Sequence, residues 1–193
     1  MSPILGIYAS QISGHLFAPS GAYDSIATVT VGGAGAATID FTSIPSTYTH
    51  LQIRGIGRLT RTGQAEGVAI ARINGDTTTA NYRSHLIYGD GASAGASDYS
   101  GIAGMYGIQC SATTTTTQIM GVTVLDILDY ANTNKYKTGR MLTGYDKNGA
   151  GEMRFFSGLW MSTSAINQIT LVPYYGTAFE QYSSFALYGI KGA

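Results

Sequence analysis

The stretch VLDILDYANTNKYKTGRMLTGYDKNGAGE, residues 124–152, carries Asp126, Asp129, Asp146 and Glu152. Two carboxylates about 5–5.5 Å or about 6.5–9.5 Å apart can hydrolyse a glycosidic bond, and Asp126 with Glu152 is the pair to test. Alternating oxygen ligands could instead hold calcium. With Asp146 as position 1 of a calcium loop, Asn148 falls at position 3 and Gly151 at position 6. Ala150 at position 5 and Ser157 at position 12 then stand where ligands are required. The run Asp-Lys-Asn-Gly also reads as a hairpin turn. Asn and Gly tolerate positive φ, and Asp bonds its own backbone. On that reading VTVLDILDY, KYKTGRMLTGYD and EMRFFSGLWM form a three-strand meander, and strand ends and turns account for all four carboxylates. No metal or cofactor is expected.

Other chemistry is sparse. His15, His50 and His85 have no metal-ligand spacing. Cys110 is the single cysteine and lies in GIQCSATTTTT without a neighbouring base. Neither GxxxxGK[ST] nor a strand-to-helix GxGxxG occurs. The expectation is a protein without a catalytic site. Aromatic residues are the enriched chemistry, with 14 Tyr, 6 Phe and 1 Trp. Most suit a core or an interface, and Trp160 in FFSGLWM is expected in the core.

The elements that position these residues read as strands. Alternation runs through SIATVTV (25–31), TIDF (38–41), HLQIR (50–54), NQITLV (167–172) and YSSFALYG (182–189). VAIARI (68–73) and IMGVTVLDIL (119–128) are apolar on both alternating sets. Such strands lie centrally in packed sheets or are covered by a partner subunit. Turn signals fall at GGAG, NGD, GDG and KNGAG. About ten antiparallel strands and no long amphipathic helix predict an all-β sandwich, jelly-roll-like.

Charged residues are 11% of the 193 and the formal net charge is +0, which argues against nucleic acid or an anionic membrane as partner. No apolar run is long enough for membrane insertion. A charge-poor surface suits a chain covered by partners. Two regions depart from the strand pattern. Residues 1–22 form an apolar N-terminal arm or helix, with Ile4, Leu5, Ile7, Tyr8, Ile12, Leu16 and Phe17 as candidate docking residues ahead of a sandwich at 23–193. Residues 89–117, rich in Gly, Ala, Ser and Thr, read as a long variable surface loop, with Tyr99 and Tyr106 as candidate exposed recognition residues.

The stretches ILGIYASQISGHL, YDSIATVTVGG, IDFTSIPSTYTHLQIRGIGR, VLDILDYANTNKYKT, SGLWMSTSAINQITL and FALYGIKG resemble a family of tailed-bacteriophage virion structural or tail fibre proteins. The resemblance implies a non-enzymatic virion component, assembled in the host cytoplasm, whose partners are tail, baseplate or capsid proteins. A tail appendage that touches a host surface glycan is the leading expectation, and a capsid-decoration protein the alternative. A homotrimer follows by analogy with phage appendages.

Overall fold

The alternation of apolar and polar residues resolves into two packed antiparallel sheets. The computed structural model describes residues 22–192. The candidate docking residues of the N-terminal arm lie outside them. Twelve strands follow in order: β1 (Tyr23–Thr30), β2 (Ile39–Phe41), β3 (His50–Gly57), β4 (Glu66–Ile73), β5 (Tyr82–Gly89), β6 (Ala94–Tyr99), β7 (Met105–Ser111), β8 (Gly121–Leu128), β9 (Lys137–Asp146), β10 (Gly151–Trp160), β11 (Ile169–Pro173) and β12 (Ser184–Ile190). One 3₁₀ turn at Thr79–Asn81 is the helical content among the described residues.

The small sheet has the order β2-β11-β4-β7, and the large sheet the order β1-β12-β3-β8-β9-β10-β5-β6. The first four strands of the large sheet and the whole small sheet trace a jelly roll, in which the chain alternates sheets from β1 to β4, from β7 to β8 and from β11 to β12. The remaining strands, β9, β10, β5 and β6, prolong the large sheet beyond the jelly roll. Two strands more than the sequence suggested come from this region and from β7.

The core lies between the sheets. Ile39, Phe41, Leu51, Ile53, Ile73, Leu125, Ile127, Met141, Phe156, Phe179, Phe185 and Leu187 are all essentially inaccessible. All but Phe179, which lies between β11 and β12, are inward members of strands. Trp160 joins them, as expected, and its indole N–H donates to Asp76 at 2.8 Å. That bond ties the end of β10 to the turn after β4.

The expected surface loop at 89–117 is corrected. It contains an edge strand, β6, and a strand buried along its whole length, β7. Small residues there serve packing. Between the partners of Ala69 and Ile70, Gly107 is the extra residue of a β-bulge with φ 143°, and a Cβ on it would meet the Phe156 ring at 2.8 Å. The bulge breaks period two, so alternation could not announce the strand.

β7 is the last strand of its sheet, so its outer backbone edge needs partners. Hydroxyls of the large sheet provide them. The Tyr106 N–H donates to Ser84 Oγ at 3.2 Å, and the Gln109 N–H donates to Thr143 Oγ1 at 3.0 Å. Thr123 Oγ1 lies 2.7 Å from Thr143 Oγ1 and donates to the Gln109 carbonyl at 3.4 Å. Inward Ser and Thr on β5, β8 and β9 therefore replace a neighbouring strand.

Candidate functional site

Strands β8, β9, β10 and β5 turn alternate residues away from the core. Aligned registers place Val122, Gly144, Met153 and Gly89 in one row across them. The next row holds Val124, Leu142, Phe155 and Ile87, and a third holds Asp126, Arg140, Ser157 and His85. The first two rows continue onto β3 as Ile56 and Arg54, and the third as Gln52. Large apolar side chains lie bare in the first two rows: Met153 is 63% exposed, Ile87 62%, Val122 53% and Leu142 51%. Phe155 and Ile56 are exposed as well. A shallow depression of about 660 Å³ between the strands is floored by Val122, Val124, Leu142 and Met153 and edged by Asp90 and Asp146.

The outer face of the jelly-roll half of the same sheet is dressed differently. The Arg54 guanidinium lies 5.3 Å over the Tyr23 ring and 5.9 Å from the Tyr188 ring. Its Nε donates to Gln52 Oε1 at 2.5 Å, and Gln52 Nε2 donates to Asp126 Oδ1 at 2.6 Å. A polar chain thus closes one half of the face and stops at β8.

The two alternatives left open for the doubly apolar runs now separate. β4 is central and nearly buried throughout, whereas β8 is buried on its inner face and exposes Val122 and Leu128 on the other.

The carboxylates of 124–152 do not converge. Asp126 stands in the row of Ser157, five residues along β10 from Glu152. That offset is roughly 17 Å at the usual strand rise. It also puts Asp126 on the outer face and Glu152 on the inner one. The glycosidase pair is excluded by geometry. Asp146 Oδ1 instead accepts the Asn148 N–H at 2.7 Å, and Asn148 has φ 57°, as a hairpin turn requires. Asp129 pairs with Lys135, and its own N–H donates to His50 Nδ1 at 3.0 Å. No group of three or more His, Cys, Asp or Glu side chains suited to a metal occurs among the described residues. Cys110 is fully buried, and burial pushes its thiol well above the usual range. A thiol held neutral in this way is a poor nucleophile.

Of the two candidate recognition residues, Tyr106 requires correction: it is 2% exposed, inside β7. Burial, first of all, raises its phenol's pKa, and the neighbouring Tyr99 and Tyr175 add to this. Its ring meets Tyr99 at 4.1 Å and Tyr174 at 5.3 Å between centroids. Tyr99, at the end of β6, is half-buried by that stack. Beside it, Arg154 is clasped by Glu152 at 2.6 Å and Glu66 at 2.9 Å. The group reads as an internal brace between the two sheets.

Sequence reasoning missed the bare face. Its trace was present in IMGVTVLDIL and FFSGLWM, where both alternating sets are largely apolar. Pairing register was the missing quantity, because only aligned strands bring Val122, Leu142, Phe155 and Ile87 into one patch.

These features define the chain as an all-β sandwich of jelly-roll order with an extended large sheet. Comparison with protein-family models, curated proteins and solved structures finds no match.

Proposed function

We propose that this chain is a non-enzymatic structural component of a tailed-phage virion. The observation that carries the assembly part of this reading is the bare apolar face of β8, β9, β10 and β5. Free monomers rarely expose contiguous apolar patches beyond a few hundred Å², and larger ones mark sites of association. The low charge of the chain supports the same reading. The phage assignment rests on the resemblance of the stretches quoted above, which run from residue 4 to residue 192. In the favoured form the protein is a tail or fibre appendage, and the apolar side chains from Ile4 to Phe17 dock it to the particle. A glycan contact near the β5–β6 end now has Tyr99 and not Tyr106 to draw upon.

Capsid decoration is the competing form, since a jelly roll with an apolar face can equally clamp a shell. Quantitative mass spectrometry of purified particles against the major capsid protein, with antibody labelling in negative stain, separates the two. Low copy with label at the tail is the expected result. Label over the whole head at near-capsid copy assigns decoration. Absence from particles overturns the virion reading.

A further inference from the structure

We infer that the bare face of the large sheet packs against the same face of a second copy, about a two-fold axis parallel to the strands and lying between β9 and β10. The inference rests on reading that face as an assembly surface, and adds its occupant and its geometry.

Extent is the first argument. Six strands from β3 to β6 at ~4.8 Å spacing, and the three outward rows at ~6.6 Å, cover roughly 600 Å² before side-chain relief is counted. Relief raises the accessible area towards the ~800 Å² per partner of a stable interface.

Self-complementarity is the second argument, and it selects the axis. A two-fold along the strands lays each row upon itself in reverse order. Leu142 then meets Phe155 of the second copy, and Val124 meets Ile87. In the first row Met153, the most exposed apolar side chain of the face, lands over Gly144, where no side chain stands in its way. Val122 likewise lands over Gly89, and Ile56 over Ala94. In the third row Asp126 meets His85, and Arg140 meets the Ser157 hydroxyl. The first row thus sets large residues against small ones, the second sets apolar against apolar with Arg54 over Ala96 at the rim, and the third sets the carboxylate against an imidazole. A two-fold across the strands would lay Asp126 and Arg140 on the Val122–Met153 row and bury charges against apolar groups, a costly arrangement. The axis along the strands also gives the aligned packing that twisted sheets adopt, with faces about 10 Å apart.

A pair of this kind would replace the trimer expected by analogy. Sedimentation equilibrium and native mass spectrometry of the full chain give the mass. The expected result is a dimer that Leu142→Glu dissociates, with a Kd at least ~100-fold higher, as for an unpaired charge buried in an interface. Leu142 is half-exposed in the single chain, so the melting temperature of the variant, measured as a monomer, should stay that of dilute wild type. Geometry is tested by mixing. Asp126→Lys loses both Asp126–His85 pairs in its own homodimer and His85→Glu sets two carboxylate pairs face to face in its own, whereas a mixed dimer holds one ammonium–carboxylate pair and one native Asp126–His85 pair. Within one chain the two residues stand three strands apart, roughly 14 Å, so they barely influence each other directly. An equimolar mixture should hold mixed dimers well above the statistical half.

A wild-type monomer at ~100 µM, where even weak specific pairs of micromolar Kd assemble, overturns the proposal. So does a trimer, a dimer indifferent to Leu142→Glu, or a mixture at the statistical ratio. Loss of thermal stability in Leu142→Glu without change of mass would mean that the chain covers its own face, and also overturns it. Particle localisation is read separately: a dimer absent from particles would sink the virion reading and leave this pairing intact.

Discussion

Phe155 and Phe156 are neighbours on β10 and point to opposite faces of the same sheet. Phe156 is wholly buried, against the bulge at Gly107 and the Tyr106 ring at 6.0 Å. Phe155 is 44% exposed, in the apolar outer row. The contrast extends to the strands around them. On the inner face Ser84, Thr123 and Thr143 each meet the backbone edge of β7. On the outer face apolar side chains stand in rows with nothing over them among the described residues. One face is finished by the chain itself, and the other has the composition of a core without its covering layer. The difference separates two kinds of energy, folding on one side of the sheet and association on the other, and it can be attacked from either side.

The sharpest attack is Phe156→Ala. Removing a fully buried phenylalanine loses transfer energy and leaves a cavity, together about 3–5 kcal/mol. The bulge at Gly107 is fixed in shape, so little collapse is expected to relieve the cost. Urea unfolding should register the loss as a lower midpoint with an unchanged slope. A loss below about 0.5 kcal/mol, the level of an ordinary surface change, would mean that the inner face is not the finished one.

Next comes Thr143→Val. The shapes are nearly the same, so packing is preserved. The Gln109 N–H, however, loses its acceptor, and the Val122 carbonyl loses the Thr143 hydroxyl at 2.9 Å. An unsatisfied buried polar group costs about 1–3 kcal/mol. Amide exchange should quicken first at Gln109. If exchange there is unmoved, the hydroxyls do not serve as the substitute strand.

Acid probes Asp76, which ties the turn after β4 to Trp160 at the end of β10. Burial pulls its pKa up, but hydrogen bonds from Trp160, Asn81 and Thr78 outweigh this and hold it at about 2, against a usual 3.8. A carboxylate with a depressed folded pKa stabilises the fold above the unfolded value and loses that contribution as pH falls through the folded one. Stability should therefore drop between about pH 4 and pH 2. Asp76→Asn should flatten that part of a urea-midpoint profile. The effect is expected to be smaller than that of Thr143→Val, because the group is partly solvated.

How much of this was legible in the sequence follows from what period two can encode. Alternation identified the inward residues of β1, β2, β3, β11 and β12, such as Ile39, Phe41, Leu51, Ile53 and Leu187, and the jelly-roll class followed. The Asp146 turn was equally plain, because Asn148 and Gly149 are residues that accept positive φ. β7 was hidden by Gly107, which shifts the alternation midway, and by a setting rich in Gly, Ser and Thr that resembles a loop. That misreading carried Tyr106 outward with it. The apolar face was hidden for another reason. A residue run states which side chains share a strand face, whereas a patch depends on which strands are neighbours, and β5 joins β10 across more than sixty residues of chain.

The smallest effect on folding belongs to Phe155→Ser, and it tests the comparison from the outer side. The side chain is already half in water within one chain, so a dilute monomer should change by no more than about 0.5 kcal/mol, as for an ordinary surface position. The ring would nonetheless sit at the centre of the proposed pair, over Leu142 of the second copy. Association stabilises a folded chain in proportion to the logarithm of partner concentration over Kd. Wild type should therefore melt at a temperature that climbs with protein concentration, and Phe155→Ser should melt at one temperature throughout. Curves that coincide at high dilution and diverge on concentration would assign the outer face to association. A variant that melts lower at every concentration by the same amount would instead give Phe155 a role within the single chain and erase the distinction between it and Phe156.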